Sequence, residues 1–456
     1  MSLPSVPRFL APALLIGCLV APAGAGAGVE QGPRPVFGPR APQKVTPAGN
    51  GWLRVSTVPA KRASDSVGIN LDTWSRTGAY TPARWPGLMQ SLRASGITRA
   101  RVDVHLVSGD WGTQRQVEMG KAGFKLTVQL GDAFGRYSAT PLDRVYDVFR
   151  THLLPYSEAV EGTNEPDIAG PLDWGTTALA HQRAIVSNLA ATPGADRLAV
   201  FAPSTARPAN QRWYGDLTGL ADYANAHAYS GGRYGALGFD MFVPPAEQLL
   251  PGGPTVVTET GVHTSPEGTY SQPGVSEAVA ARYAPKGLLE AFRRGIPRTY
   301  LFDLVDRFDD PELKRVEAHF GLLRTDGTPK PAFAAISRLM SELSDSKGKV
   351  GTPTRPVAIR PRQPLPPDVR SLALRHSDGS LVLALWRERS LWDTVAAKPI
   401  AAPTASVHLD LGERYVLGRV RELATGRLSW QLPFLGGLDL KLGDDVTIVR
   451  LTGRLR

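Results

Sequence analysis

The chain has 456 residues, 42% apolar and 21% charged, ordinary for a soluble globular protein and long enough for one large domain plus a smaller one. The net charge of +10 suits solubility or attraction to acidic polysaccharides. No lysine and arginine cluster is interleaved with aromatics, which argues against a nucleic-acid partner.

At the N-terminus, Arg8 precedes an apolar run from Phe9 to Val20, followed by Ala23-Gly24-Ala25 and Ala25-Gly26-Ala27. This predicts a secretory signal peptide over 1–27, too short to persist as a transmembrane segment. Cys18, the single cysteine, lies inside it, so a processed chain carries no thiol or disulfide. Leu15-Ile16-Gly17-Cys18 also resembles a bacterial lipoprotein signal, in which case Cys18 is a lipid anchor. Secretion and attachment to the cell envelope both stand as expectations.

Residues 28–50 are rich in Pro and Gly and predict a linker. Eight short apolar runs follow: Val67–Leu71, Ile97–Val104, Lys125–Leu130, Val160–Asn164, Leu198–Ala202, Tyr223–Tyr229, Thr255–Glu259 and Arg298–Val305. Stretches with helical periodicity lie between them, including Trp85–Ser95, Asp143–Leu153, Thr176–Ala190 and Ala278–Arg294. Eight such alternations predict an α/β fold, a (β/α)8 TIM barrel over 51–343. A second Pro-rich zone, 344–368, predicts a linker. Period-2 patterning and the Asp378-Gly379 turn signal then predict a small C-terminal antiparallel β-sandwich over 369–456. Trp386, Trp392 and Trp430 are scattered, which favours a packing role for the sandwich over glycan binding.

Barrel enzymes carry their chemistry at the carboxyl ends of the strands. Glu165 and Glu259, 94 residues apart, both fall there. Two carboxyl groups facing one pocket are the minimal apparatus for glycosidic bond cleavage. In Tyr223-Ala-Asn225-Ala-His227-Ala-Tyr229, period 2 sends Asn225, His227 and Tyr229 to one face and the alanines to the other. Inward polar groups are costly unless they serve a polar site, although His227 alone also fits a satisfied core histidine. Arg101 alternates in the same way; it is placed either to keep a carboxylate ionised or in a structural ion pair with Asp103 or another acid.

Asn164-Glu165-Pro166 after a fourth strand resembles the acid/base motif of clan A glycoside hydrolases. His227-Ala-Tyr229 and Thr258-Glu259 extend the match in order, and Phe320–Phe333 looks like the segment that closes such barrels. The resemblance covers about 50–340 and is closest to family 39 and its relatives. It implies a retaining glycosidase acting on a carbohydrate, with Glu165 as general acid/base and Glu259 as nucleophile. It further implies Asn164 on the sugar 2-hydroxyl, Tyr229 touching the nucleophile and His227 orienting nearby groups. The chain departs from the pattern at Phe302, where strand eight often ends in a tryptophan, and at His105, where relatives commonly show one. Trp74, Trp111, Trp174 and Trp213 are candidate sugar platforms or loop-packing residues. Tyr234, with Gly231, Gly232 and Gly235, suggests a mobile loop over the site. The histidines lack ligand spacing and no phosphate-binding glycine loop occurs, so no metal and no cofactor is expected. A glycan-binding or cell-envelope scaffold protein on the same barrel is the alternative.

Overall fold

The computed structural model describes Phe37 and residues 43–455, apart from 106–109, 132–140, 171, 269–271 and 436. The expected signal peptide, Cys18 and most of the 28–50 segment lie outside the described residues. No described helix is long and apolar enough to cross a membrane.

Eight parallel strands make the barrel: β1 Val67–Asn70, β2 Arg99–Asp103, β3 Lys125–Gln129, β4 Ser157–Glu161, β5 Ala199–Phe201, β6 Ala224–His227, β7 Thr255–Thr260 and β8 Thr299–Leu301. Their hydrogen-bonded order runs 5-4-3-2-1-8-7-6. The ring is completed between β5 and β6 by a Phe201–Tyr223 bridge and the Ala202 N–H donating to the Tyr223 carbonyl at 2.9 Å. The (β/α)8 expectation therefore holds.

Helices α1 Trp85–Ser95, α2 Trp111–Lys121, α3 Leu142–Val148, α4 Trp174–Ala190, α5 Gly235–Glu247, α6 Glu277–Arg293 and α7 Pro331–Leu343 surround the strands. After β5, a 3-10 turn at Pro208–Tyr214 replaces a helix. α1 shows the local logic: Trp85, Leu88, Met89 and Leu92 are buried at helical spacing. Gly96 ends it at φ 76°, and a Cβ there would lie 2.9 Å from Met340 Cβ on α7. Only glycine satisfies both demands.

The second layer system has a five-stranded and a six-stranded sheet. Asp378-Gly379 turns Val369–Arg375 back on Leu381–Arg387 as expected, with Gly379 at φ 82°. Two segments read as linkers carry strands. Val45–Pro47, from 28–50, pairs with Leu53–Val55, which in turn pairs with Val357–Pro361 from 344–368. Both ends of the chain around the barrel thus build the sandwich. Their Pro content hid this from the sequence reading, although Pro47 occupies an edge strand, where a missing N–H costs no ladder bond, and Pro361 closes the end of its strand.

Leu381–Arg387 is buried along its whole length. Leu381, Leu383 and Leu385 face the sandwich core, whereas Val382, Ala384 and Trp386 join the cluster that includes Leu339 and Met340 of α7. A strand covered on both faces reads as a continuous apolar run rather than an alternating one.

Lys286 of α6 lies in this junction, and its Nζ has no hydrogen-bond partner among the described residues. Burial pushes its pKa down from 10.5 to about 8, against the pull of Glu388, Asp444 and Asp445. A folded pKa below the unfolded one opposes folding fully below about pH 8, and the penalty fades as pH rises to 10.5. Lys286→Met should therefore raise stability at pH 7 by up to about 3 kcal/mol, with the gain gone near pH 10.5. Denaturant unfolding at both pH values checks this, and a less stable variant at pH 7 would contradict it.

Candidate active site

Arg101, on β2, is the centre of the barrel's upper layer and uses its whole guanidinium. Nε donates to Glu161 Oε2 at 2.7 Å and Nη2 to Glu161 Oε1 at 2.8 Å. Nη1 reaches Asn70 Oδ1 at 2.9 Å and Glu259 Oε1 at 2.7 Å, and Nη2 also reaches Asn164 Oδ1 at 2.7 Å. Of the two readings of Arg101, its acids are thus Glu161 and Glu259, not Asp103. A planar fork with five N–H groups suits such a set, which a lysine cannot reproduce.

Glu259 enters this layer because β7 is bulged. Val257 pairs with Ala226 and Glu259 with His227, leaving Thr258 as an extra residue. In a regular strand, consecutive side chains take opposite faces. Here the bulge lets both Thr258 and Glu259 point inward. Thr258 Oγ1 lies 2.8 Å from Asn225 Oδ1 and 3.0 Å from His227 Nε2. Along β6, Asn225 and His227 face this network while Ala224 and Ala226 pack with Phe239 and Phe242 of α5, as the alternation predicts.

Strand β4 ends at Glu161, four residues earlier than Glu165. Glu165 sits instead at the entry to the short helix Pro166–Ala169, with φ 39° and ψ 54°. A non-glycine residue there is strained, by about 1–3 kcal/mol, and such strain clusters at functional sites. Its Oε1 lies 2.6 Å from His227 Nδ1, which is 3.4 Å from Glu259 Oε2. An oxygen of Glu165 and one of Glu259 lie within 4.8 Å of each other.

The hydrogen bonds fix where protons sit. Asn225 Nδ2 donates to Glu161 Oε1 and the Ala202 carbonyl, and the single Thr258 hydroxyl proton faces two pure acceptors, Asn225 Oδ1 at 2.8 Å and Glu161 Oε1 at 3.1 Å. Thr258 then accepts from His227 Nε2–H, and a further proton lies between Nδ1 and Glu165. Burial works to lower the His227 pKa, but the Glu259 and Glu165 charges raise it above 6.5. Burial likewise works to raise that of Glu259. His227, Arg101 and the Tyr229 hydroxyl, donating at 2.8 Å, hold it below 4.5.

Above this layer opens a cleft of about 560 Å³ lined by Arg101, Asn164, Glu165, Tyr229 and Glu259. Five of the eight residues expected in the site therefore line it. His227 and Asn225 lie beneath, fully buried. Trp111 does not line it: at the start of α2, its indole N–H donates to the Trp74 carbonyl at 2.7 Å and Arg76 covers its ring. It braces the loop that presents Trp74, the one of the four candidate tryptophans that does line the cleft. Trp174 packs on Tyr214, and Trp213 is exposed beside Arg212.

Phe302 lines the cleft, whereas Asp306 accepts from Lys330 Nζ at 2.7 Å in a structural role. The loop at 230–234 packs against neighbouring backbone: a Cβ on Gly232 would lie 2.9 Å from the Pro273 carbonyl oxygen. Residues not foreseen from sequence include Glu161, Thr258 and Asn70, and the cleft pairs Asp72–Arg307 and Asp103–His105. Glu161 was visible as a charge inside an apolar strand run. Glu165, His227 and Glu259 are also the described residues whose spacing would admit a metal ion, which would have to displace the proton on Nδ1.

Barrel and sandwich together have the architecture of family 39 and other clan A glycoside hydrolases. A family 39 glycoside hydrolase from the gut symbiont Bacteroides cellulosilyticus WH2 superposes with TM-score 0.60 at 15% identity, covering 88% of each chain. A glucosidase from Croceicoccus marinus does so with TM-score 0.54 at 9% identity, over 87% of this chain and 98% of that one. No family model and no curated protein matches the sequence.

Proposed function

We propose that this protein is an exported retaining glycoside hydrolase that cleaves an oligo- or polysaccharide by double displacement. The observation that carries the proposal is the spacing of Glu165 and Glu259, within 4.8 Å, in two different environments. Retaining enzymes hold their carboxyl groups about 5–5.5 Å apart, and inverting ones about 6.5–9.5 Å. Arg101 and Tyr229 keep Glu259 ionised as the nucleophile.

In the first step a Glu259 oxygen bonds to the anomeric carbon as the bond to the leaving oxygen breaks. Glu165 gives that oxygen the proton it shares with His227 Nδ1. In the second step Glu165 removes a proton from water, whose oxygen displaces Glu259. Asn164, its carbonyl held by Arg101, offers its amide to the 2-hydroxyl.

Glu165→Ala provides the test. Hydrolysis of unactivated glycosides should fall by about 10²–10⁴-fold, while the first step on substrates with very good leaving groups survives. Assay of medium, envelope and cytoplasm from the same cells checks export. Normal turnover in the variant would sink the acid/base role, and wild-type activity confined to the cytoplasm would sink export.

A further inference from the structure

Two acid–base pairs line the inner cleft and take no part in the bond cleavage just described. Arg307, beyond β8, pairs with Asp72, beyond β1: Nη2 donates to Oδ1 at 3.1 Å, and Nε lies 2.6 Å from Oδ2 as an ion-pair contact. Its guanidinium lies 5.0 Å from the centre of the Phe302 ring. On β2, Asp103 Oδ2 lies 2.5 Å from His105 Nε2, and the His105 ring meets Trp74 edge-on at 5.1 Å. Three polar atoms of this wall, Asp103 Oδ1, Trp74 Nε1 and Arg307 Nε, have no hydrogen-bond partner among the described residues.

The charges decide what such a wall can hold. The inner arginines already answer carboxylates, Arg101 those of Glu161 and Glu259 and Arg307 those of Asp72 and Asp303, and His105 Nε2 is taken up by Asp103. Arg233, exposed and lining the same cleft, forms no ion pair among the described residues. A sugar carboxylate at the inner end would meet Asp72 and Asp103 with no uncommitted cation to offset its desolvation. A hydroxyl differs, because it donates and accepts at once. It can give its proton to Asp72 or Asp103 and take a hydrogen bond from Arg307 without breaking either pair. The net charge of +10 is therefore not expressed at this end of the cleft.

We propose that the Asp72–Arg307 and Asp103–His105 pairs form a hydroxyl-reading wall for an uncharged sugar ring, and that rings bearing a carboxylate are rejected there. The proposal rests on the glycosidase reading only in placing a sugar in this cleft. Asp72 and Asp103 determine specificity by binding ring hydroxyls, and neither transfers a proton to the scissile bond.

Binding, rather than turnover, tests the wall independently of catalysis. Titration calorimetry of the full chain with the methyl glycosides of glucose, galactose, mannose, xylose and glucuronic acid should show a neutral glycoside binding at least about tenfold tighter than the glucuronide. Asp72→Asn and Asp103→Asn should each weaken that neutral ligand by about tenfold or more. The loss should shrink for the deoxy analogue that lacks the hydroxyl being read, which a merely structural defect would not produce. Tighter binding of the glucuronide, no binding by any neutral glycoside, or equal losses for parent and deoxy ligands would overturn the proposal. Neutral binding with hydrolysis of nothing would uphold the wall and sink the glycosidase reading instead.

Discussion

Glu259→Ala is expected to abolish turnover, with kcat down by about 10⁴-fold or more, and azide to restore part of it, if Glu259 is the proposed nucleophile. Truncation removes the nucleophilic oxygen and leaves a space on the face of the sugar from which it attacked. Azide entering that space forms its bond to the anomeric carbon as the leaving oxygen departs with the proton from Glu165. One displacement instead of two gives a glycosyl azide of inverted configuration, which proton NMR identifies.

The pH profile sharpens the expectation. In the wild-type protein kcat/KM should fall on the acid side as Glu259 takes up a proton, below 4.5 because His227, Arg101 and Tyr229 stabilise its charge against burial. On the alkaline side it should fall as His227, held above 6.5, loses its proton. The azide-rescued rate should exchange the Glu259 acid limb for the protonation of azide itself, and its alkaline limb should move to lower pH because the Glu259 charge that raises His227 is gone. Residual wild-type turnover, or an azide adduct of retained configuration, would remove Glu259 from the nucleophile position.

What was legible in the sequence was whatever depends on one strand at a time. Alternation along 223–229 sorted Asn225 and His227 from the alanines because period 2 follows from backbone geometry alone. Contacts between strands were not legible. Nothing near Glu161 says that Arg101, 60 positions earlier, forks onto it. The inward turn of Thr258 depends on a bulge set by pairing with β6, and short strands such as Leu53–Val55 gain their partners only when both chain ends meet. Trp111 misled because an aromatic after a strand looks the same in sequence whether it faces a cleft or braces a loop.

That dependence between strands makes Arg101 the most exposed point of the fold. Arg101→Met keeps much of the side chain's length but removes the cation from Glu161, which is wholly buried, and from Glu259. Breaking a buried pair by deleting one partner costs about 3–5 kcal/mol, because the remaining charge stays desolvated and unanswered. Urea unfolding at pH 7 should register a loss of that size. Glu259 has a folded pKa below its unfolded value of 4.5, so its stabilising share is present above pH 4.5 and lost as pH falls through the folded value. The difference between variant and wild type should therefore narrow as pH falls below 4.5 and Glu259 protonates. Combining Arg101→Met with Glu161→Gln should recover much of the stability and none of the activity, since the double variant buries one less charge yet still leaves Glu259 unsupported. Arg101→Lys should fall between, with one ammonium unable to serve the four side chains that the guanidinium holds. Wild-type stability for Arg101→Met at pH 7, or a deficit that widens in acid, would show that Glu161 does not need this cation.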